Sequence, residues 1–286
     1  MDYRKLCAFI LEDEPLSRHT TMSTGGPADF LAFPESAEEL TALLEACPDA
    51  PVIGNGSNLI APDLGIRGLV ISTKRMRRLE RLDDGLLLAE AGALMPAVAS
   101  FAWKMGLTGL EFAAGIPGTL GGGLVMNAGA YDGQLADVAV ESSYYASGMI
   151  HTETQHRFTY RHSVYAEHPE RTVLSVTLRL QPGDSDTIRA KMDDFAKKRA
   201  QKQPLEWPSA GSAFKRPEGH FAGELIERCG LKGFSVGGAQ VSEKHAGFVI
   251  NTGGATAEDV RVLLFHVMEA VQAQTGVSLE PEILFL

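Results

Sequence analysis

Two stretches of this 286-residue chain combine residue types and spacing that would let backbone hold a ligand. One is Gly54-Asn55-Gly56-Ser57-Asn58, which follows the short apolar run 51–53. Successive amides in a tight turn of small residues form an anion-binding nest. The other is 109–131, GLEFAAGIPGTLGGGLVMNAGAY, with seven glycines in twenty-three residues, where average usage would supply about two. Glycine is required where φ is positive or where backbone approaches another group closely. The run has neither helical period nor strand alternation, so it reads as backbone lying against a large ligand, with a buried packing turn as the plain alternative.

Neither stretch matches a common nucleotide motif. G-x-G-x-x-G would need glycine at 59, where Leu59 stands, and no G-K-[ST] follows. A plain hairpin turn therefore remains open for 54–58. Gly233-Phe-Ser235-Val-Gly237 matches the nucleophile elbow G-x-S-x-G, but that motif needs a strand before it and a helix directly after it. Lys232 precedes and a Gly-rich extended segment follows, so a hydrolase is not indicated. Arg161, in Tyr-Arg-His-Ser, reads by itself as a surface or ion-paired arginine, and Ser212 beside Gly211 as a turn hydroxyl. Glu280 and Glu282 share one face of an extended segment by alternation, and the pattern does not choose between them.

The composition is that of a globular protein, 44% hydrophobic, with a net charge of −10. Phosphate backbones select basic surfaces, so bulk nucleic-acid binding is excluded. An anionic ligand would need a local basic cluster and oriented amides. The run Lys74-Arg-Met-Arg-Arg78 reads as a solvated turn. Cys7, Cys47 and Cys229 are far apart and without C-x-x-C, the pattern of reduced cytoplasmic thiols. No signal pattern opens the sequence and no window approaches a membrane span, so the expectation is a cytoplasmic protein without a membrane partner.

Periodicity predicts an N-terminal helix over 1–18 and a strand at 30–33. A helix opened by the Ser36–Glu39 capping box follows, then strands at 51–53, 69–72 and 86–90. Pro96 opens a helix with Val98, Phe101, Ala102 and Met105 on one face, stopped by Gly106. Strands at 138–146 and 173–180 bracket the segment 156–165. A charged helix is predicted over 185–203, followed by two more, the second capped by Thr256 and ended by Gly276, and a final strand over 277–286. The main boundary falls near 184, giving 1–184, in lobes of about 1–73 and 74–184, and 185–286.

Taken together, GNGSN at 54–58, AAGIPGTLGG at 113–122, MNAGAY at 126–131 and YRHS at 160–163 resemble the UDP-N-acetylenolpyruvoylglucosamine reductases. PSAGSAFKRP at 208–217, GGAQVSEKHAG at 237–247 and LEPE at 279–282 continue the resemblance in order, from about residue 15 to the C-terminus. The span between Tyr131 and Arg161 is too short for the extra substrate-covering loop of the longer members, so the chain resembles the short, type II form.

The resemblance implies an α+β fold: a two-lobed FAD-binding domain of the vanillyl-alcohol-oxidase (PCMH-type) class over 1–184, and a C-terminal α+β substrate-binding domain over 185–286. It implies non-covalent FAD with NADPH as hydride donor, in peptidoglycan precursor synthesis, by a monomer acting on a small-molecule UDP-sugar enolpyruvyl ether. Gly54, Asn55, Gly56, Ser57 and Asn58, with Gly115, Ile116, Pro117, Gly118, Thr119, Gly121 and Gly122, would hold the pyrophosphate through backbone amides. Asn127, Ala128 and Gly129 would pass close to the flavin and adenosine.

An enolpyruvyl ether is a vinyl group conjugated to a carboxylate. Hydride adds to its terminal carbon, charge develops as an aci-enolate, and the neighbouring carbon then needs a proton. By resemblance Ser212 is the general acid, Arg161 holds the carboxylate as charge grows, and Glu282 completes the constellation. Tyr160, Lys215, Arg216 and His245 are implied at the UDP and pyrophosphate end, although Arg216 and His245 stand where longer members carry Asn and Gln. Two other readings are a related FAD oxidase acting on an alcohol or hydroxy acid, and a catalytically dead binding protein. The first predicts loss of the Arg–Ser–Glu set and a His or Cys flavin tether, and the intact Arg161, Ser212 and Glu282 count against the second.

Overall fold

A computed structural model of the chain describes residues 2–83 and 85–286; Met1, first in the expected N-terminal helix, and Asp84 lie outside them. The chain forms two compact units, Met1–Leu11 with Phe30–Asn55 and Leu69–Arg199, and Glu12–Asp29 with Gly56–Gly68 and Ala200–Leu286. Composition places a boundary at 184/185, whereas the last crossing between units falls at 199/200, late in the helix Ser185–Lys202.

The first unit is organised by a five-stranded antiparallel sheet in the order Met149–Glu153, Ala139–Ala146, Thr172–Arg179, Leu86–Glu90, Leu79–Asp83. Ser142, Tyr144 and Ala146 turn to one face of it and Tyr145 to the other, as strand alternation requires. Tyr145 and Leu174 join the core of the helix Ala37–Ala46, whose Leu40, Leu43 and Leu44 are buried. Ser36 caps that helix by accepting from the Glu39 amide. The larger core gathers Val98, Ala99 and Ala102 of the helix Met95–Lys104, Leu120, Leu124, and Ile188 and Met192 of Ser185–Lys202.

The second unit pairs Ser209–Ser212, Phe248–Asn251, Ala239–Val241 and Ser235–Val236 in an antiparallel sheet. Its longest helix, Ala257–Thr275, is capped by the reciprocal Thr256–Asp259 box and ended by left-handed Gly276. Asp63 accepts from the Ala257 and Glu258 amides, completing that N-terminus. Val260, Leu263, Leu264, Val267 and Val271 are buried, the face the sequence period selects.

Two predicted elements differ. In place of a helix over 1–18 there are a 3-10 turn Tyr3–Lys5, a strand Ile10–Pro15 and a turn Leu16–Arg18. Pro15 lacks an amide, Asp13 has φ of +50°, and the Phe33 amide donates to the Phe9 carbonyl, so this segment joins a sheet instead of coiling. In the last segment only Leu284–Phe285 is strand, paired parallel with Leu59–Ile60. Pro281, which has no N–H, reduces the preceding part to one bridge, with Phe214.

Candidate active site

Where the sequence pattern predicts no regular element, 109–131 contains a 3-10 turn, Glu111–Gly115, and a short helix, Leu120–Val125. Three consecutive glycines oppose a helix by intrinsic propensity. Here they let it lie flat on 91–95: the Leu120 and Gly121 amides donate to the Ala93 and Ala91 carbonyls, both at 2.8 Å. A Cβ on Gly121 would sit 2.8 Å from Ala91 Cβ, and one on Gly123 would sit 2.8 Å from Met95 Sδ. In the expected anion cradle, the Ile116, Leu120 and Gly121 amides donate to carbonyls inside the unit.

Gly54 meets this stretch closely. A Cβ on it would lie 2.1 Å from Thr119 Oγ1, a buried hydroxyl with no hydrogen-bond partner among the described residues. Asn55 Nδ2 donates to the Pro117 carbonyl at 2.6 Å, pinning the turn to the GIPG segment. Glu111 anchors the beginning of the stretch. Its carboxylate is buried, which works against charge, but the Thr108 hydroxyl and the Gly109 amide prevail and hold its pKa below the ordinary value. Lys191 adds an ion pair at 3.8 Å.

Lys191 belongs to a row that sequence reading did not single out. Lys191, Phe195 and Arg199 stand four residues apart on the helix Ser185–Lys202, and that spacing puts them on one face. Phe195 stacks on Tyr131 with centroids 4.4 Å apart, and the Tyr131 hydroxyl donates to the Phe195 carbonyl. Arg199 lies against Gly115, its Cδ 3.0 Å and Nη1 3.5 Å from where a Cβ would be. Burial lowers the pKa of this guanidinium, opposed by Tyr131, and no ion pair or hydrogen bond of its side chain occurs among the described residues. A half-buried cation without an anion is costly unless one arrives.

Arg161 sits in a tight hairpin closed by Thr159 and His162, whose amides donate to each other's carbonyls at 3.1 and 3.3 Å. Its φ is +55°, and its guanidinium lies 5.0 Å from the centroid of exposed Tyr160. The hairpin rests on the Gly-rich stretch: Asn127 Nδ2 donates to the Thr159 carbonyl, and the Ser163 hydroxyl to Val125.

In the second unit, strand Ser209–Ser212 pairs with Phe248–Asn251 through a register shift between Ser209 and Ser212. Such a bulge re-aims a side chain. Gly211 has φ of +82°, and the Ser212 that follows it is exposed. Backbone pairing then brings in the C-terminal segment: the Glu282 amide donates to Ala213 and the Lys215 amide to Glu280, at 2.9 and 2.8 Å. Glu282 is thus set opposite Ala213, next to Ser212. Asn58 Nδ2 donates to the Glu282 carbonyl at 2.9 Å, and the Leu284 amide to Asn58. In the same unit left-handed Gly56 fits under His19, where a Cβ would stand 2.3 Å from the carbonyl oxygen; Ser57 follows it.

The two carboxylates that alternation leaves equivalent now differ. Glu280 is exposed and ion-paired with Lys215, whereas Glu282 is half-buried. Arg216 stacks on Phe221 at 4.0 Å. His245 accepts from the Gly247 amide through Nδ1, and burial lowers its pKa. Gly233–Gly237 leads into a hairpin, Ser235–Val236 with Ala239–Val241, and not into a helix. No group of three or more metal-ligating side chains occurs among the described residues, and no helix there is long and apolar enough to cross a membrane.

An orphaned hydroxyl, glycines with no room for Cβ and an unpaired arginine together fit walls that close on an anionic dinucleotide such as FAD. Comparison with known proteins agrees. Residues 28–145 match the family model of an FAD binding domain, and 203–286 that of the UDP-N-acetylenolpyruvoylglucosamine reductase C-terminal domain. UDP-N-acetylenolpyruvoylglucosamine reductases of Pediococcus pentosaceus and Moorella thermoacetica are 49% and 48% identical, each over 96% of this chain and 93% and 92% of their own. The crystal structure of the Thermus caldophilus reductase superposes with a TM-score of 0.82 at 34% identity, covering 97% of this chain and 98% of that one. With its α+β architecture and an FAD-binding domain joined to that C-terminal domain, the chain belongs to the UDP-N-acetylenolpyruvoylglucosamine reductase family.

Proposed function

We propose that this chain reduces the enolpyruvyl ether of UDP-N-acetylglucosamine to UDP-N-acetylmuramate, a step of peptidoglycan precursor synthesis, with NADPH as electron donor. The observation that carries the reading is the strand pairing that sets Glu282 beside an exposed Ser212 on a bulge. FAD, when bound, supplies hydride carriage between the nicotinamide and the terminal vinyl carbon. Held non-covalently, it would meet Gly54, Asn55 and residues 115–122, with the backbone of 127–129 alongside and Arg199 as the cation of that wall. Gly56, Ser57 and Asn58 complete the turn.

The remaining chemistry belongs to side chains. Arg161 binds the substrate carboxylate and neutralises it as the aci-enolate forms. Ser212 gives its hydroxyl proton to the adjacent carbon, a transfer favoured because a carbanion is a strong base. The exposed hydroxyl regains that proton from solvent. The sum is one NADPH and one proton consumed per ether reduced. Glu282, carrying a proton or acting through Arg161, stabilises the enolate side of the site. Tyr160, Lys215, Arg216 and His245 take the uridine diphosphate end, Lys215 by exchanging Glu280 for phosphate. We read the chain as a cytoplasmic monomer, consistent with its three unpaired cysteines.

The test is NADPH oxidation by the purified, yellow protein. Oxidation only with the enolpyruvyl sugar nucleotide, faster than with NADH, supports the reading. Equal oxidation with UDP-N-acetylglucosamine, or a protein that binds no flavin, overturns it.

A further inference from the structure

Arg161 occupies a backbone conformation that an arginine does not adopt freely. It is the second central residue of the Thr159–His162 hairpin with φ of +55°, a position where turns favour Gly or Asn. Such a conformation is disfavoured for a residue with a side chain and persists only where surroundings enforce it. Below the hairpin the enforcement is visible. The Val164 amide donates to His156, and buried Ser142 Oγ joins His156 Nε2 at 2.8 Å and the Tyr165 hydroxyl at 2.6 Å. Those contacts fix the base of the loop.

The tip is held by Asn127. This residue is 2% exposed and itself left-handed, with φ of +43°. Its Oδ1 accepts from the Ala136 amide at 2.9 Å, and its Nδ2 donates to Gln134 Oε1 and to the Thr159 carbonyl, both at 3.0 Å. A carboxamide has two N–H donors, and both are used. The Asn127 side chain therefore has no donor left for a bound dinucleotide, although its backbone lies in the glycine-rich stretch. We infer that Asn127 is a positioning residue for Arg161: it ties the cofactor-side loop to the carbonyl that precedes the Arg161 turn. The inference rests on the reading that Arg161 holds the substrate carboxylate.

Asn127→Asp tests it. The replacement keeps the shape and the acceptor for Ala136 but turns an oxygen toward the Thr159 carbonyl. Two ligands are titrated against the holoenzyme: UDP-N-acetylmuramate, which carries the carboxylate, and UDP-N-acetylglucosamine, which lacks it. The expected result is a loss of about tenfold to hundredfold in affinity for the first, in line with a broken buried hydrogen bond, and no change for the second. FAD affinity and the rate of flavin reduction by NADPH stay at wild-type values, while reoxidation by substrate slows. Gln134→Met, which removes the other Nδ2 partner, leaves both titrations unchanged. Equal weakening of the two ligands, or loss of FAD in step with activity, makes Asn127 a general structural or cofactor residue and overturns the inference. Should the Asp variant not fold, Asn127→Ser, which removes the same donor, gives the same comparison. If wild-type protein binds neither ligand, the assigned function fails and not the role of Asn127.

Discussion

The glycine-rich wall of the first unit and the Ser212–Glu282 pairing of the second are built by opposite means. In the wall, side chains are absent so that backbone can touch backbone, and two buried polar groups, Asn127 and Glu111, are committed to partners inside it. In the pairing, Ser212 is exposed on a bulge, and its neighbour Glu282 is placed by the bond of its own amide to Ala213 and that of the Lys215 amide to Glu280. The difference teaches where damage should appear. Substitutions at the wall's glycines and at Arg199 should disturb folding and cofactor affinity, whereas substitutions at the pairing should change chemistry alone.

The largest effect on the wall side is expected from Gly121→Val. Its Cβ would fall 2.8 Å from Ala91 Cβ and 3.1 Å from the Ala91 oxygen, backbone that cannot yield. Overpacking of this kind costs about 1–3 kcal/mol, and the variant should purify colourless with a lowered thermal midpoint. A yellow variant with the wild-type midpoint would erase the contrast.

Next is Arg199→Met, which keeps the stem against Gly115 and removes the charge. Losing one charge-assisted contact of about 1.5–3 kcal/mol should weaken FAD binding by about tenfold to a hundredfold, read by flavin fluorescence on the apoprotein. Unchanged affinity would take Arg199 out of the wall.

The smallest effect is expected at Glu111→Gln, about 1 kcal/mol at neutral pH. The folded-state carboxyl titrates below its ordinary value. Its stabilisation is therefore present above the unfolded pKa of about 4.3 and is lost as pH falls through the folded value. Thermal midpoints of wild type and variant should differ at pH 7 and converge in acid; a constant gap would show that the charge is not responsible.

Much of this was legible in the sequence because it is local. Thr256 and Gly276 bound their helix as caps do, and 86–90 alternates as a strand. Other features depend on partners far away in sequence. The helix Leu120–Val125 exists because Ala91 and Ala93 accept its first amides, which no propensity reveals. Alternation put Glu280 and Glu282 on one face, and only pairing with 213–215 separated them. Arg199 could have been noticed by its four-residue spacing from Phe195 and Lys191, but nothing local says that the row meets Gly115. The motifs pointed to Arg161, yet its strained turn and the Asn127 bond are tertiary facts.

The measurement that bears most directly on the contrast is a stopped-flow separation of the two half-reactions in Ser212→Ala. Flavin reduction by NADPH should remain near the wild-type rate, since the wall is untouched, while reoxidation by the enolpyruvyl substrate slows by about a thousandfold or more, within reach of a lost general acid. If both half-reactions slow alike, Ser212 is not the proton donor and the division between the wall and the chemical site does not hold.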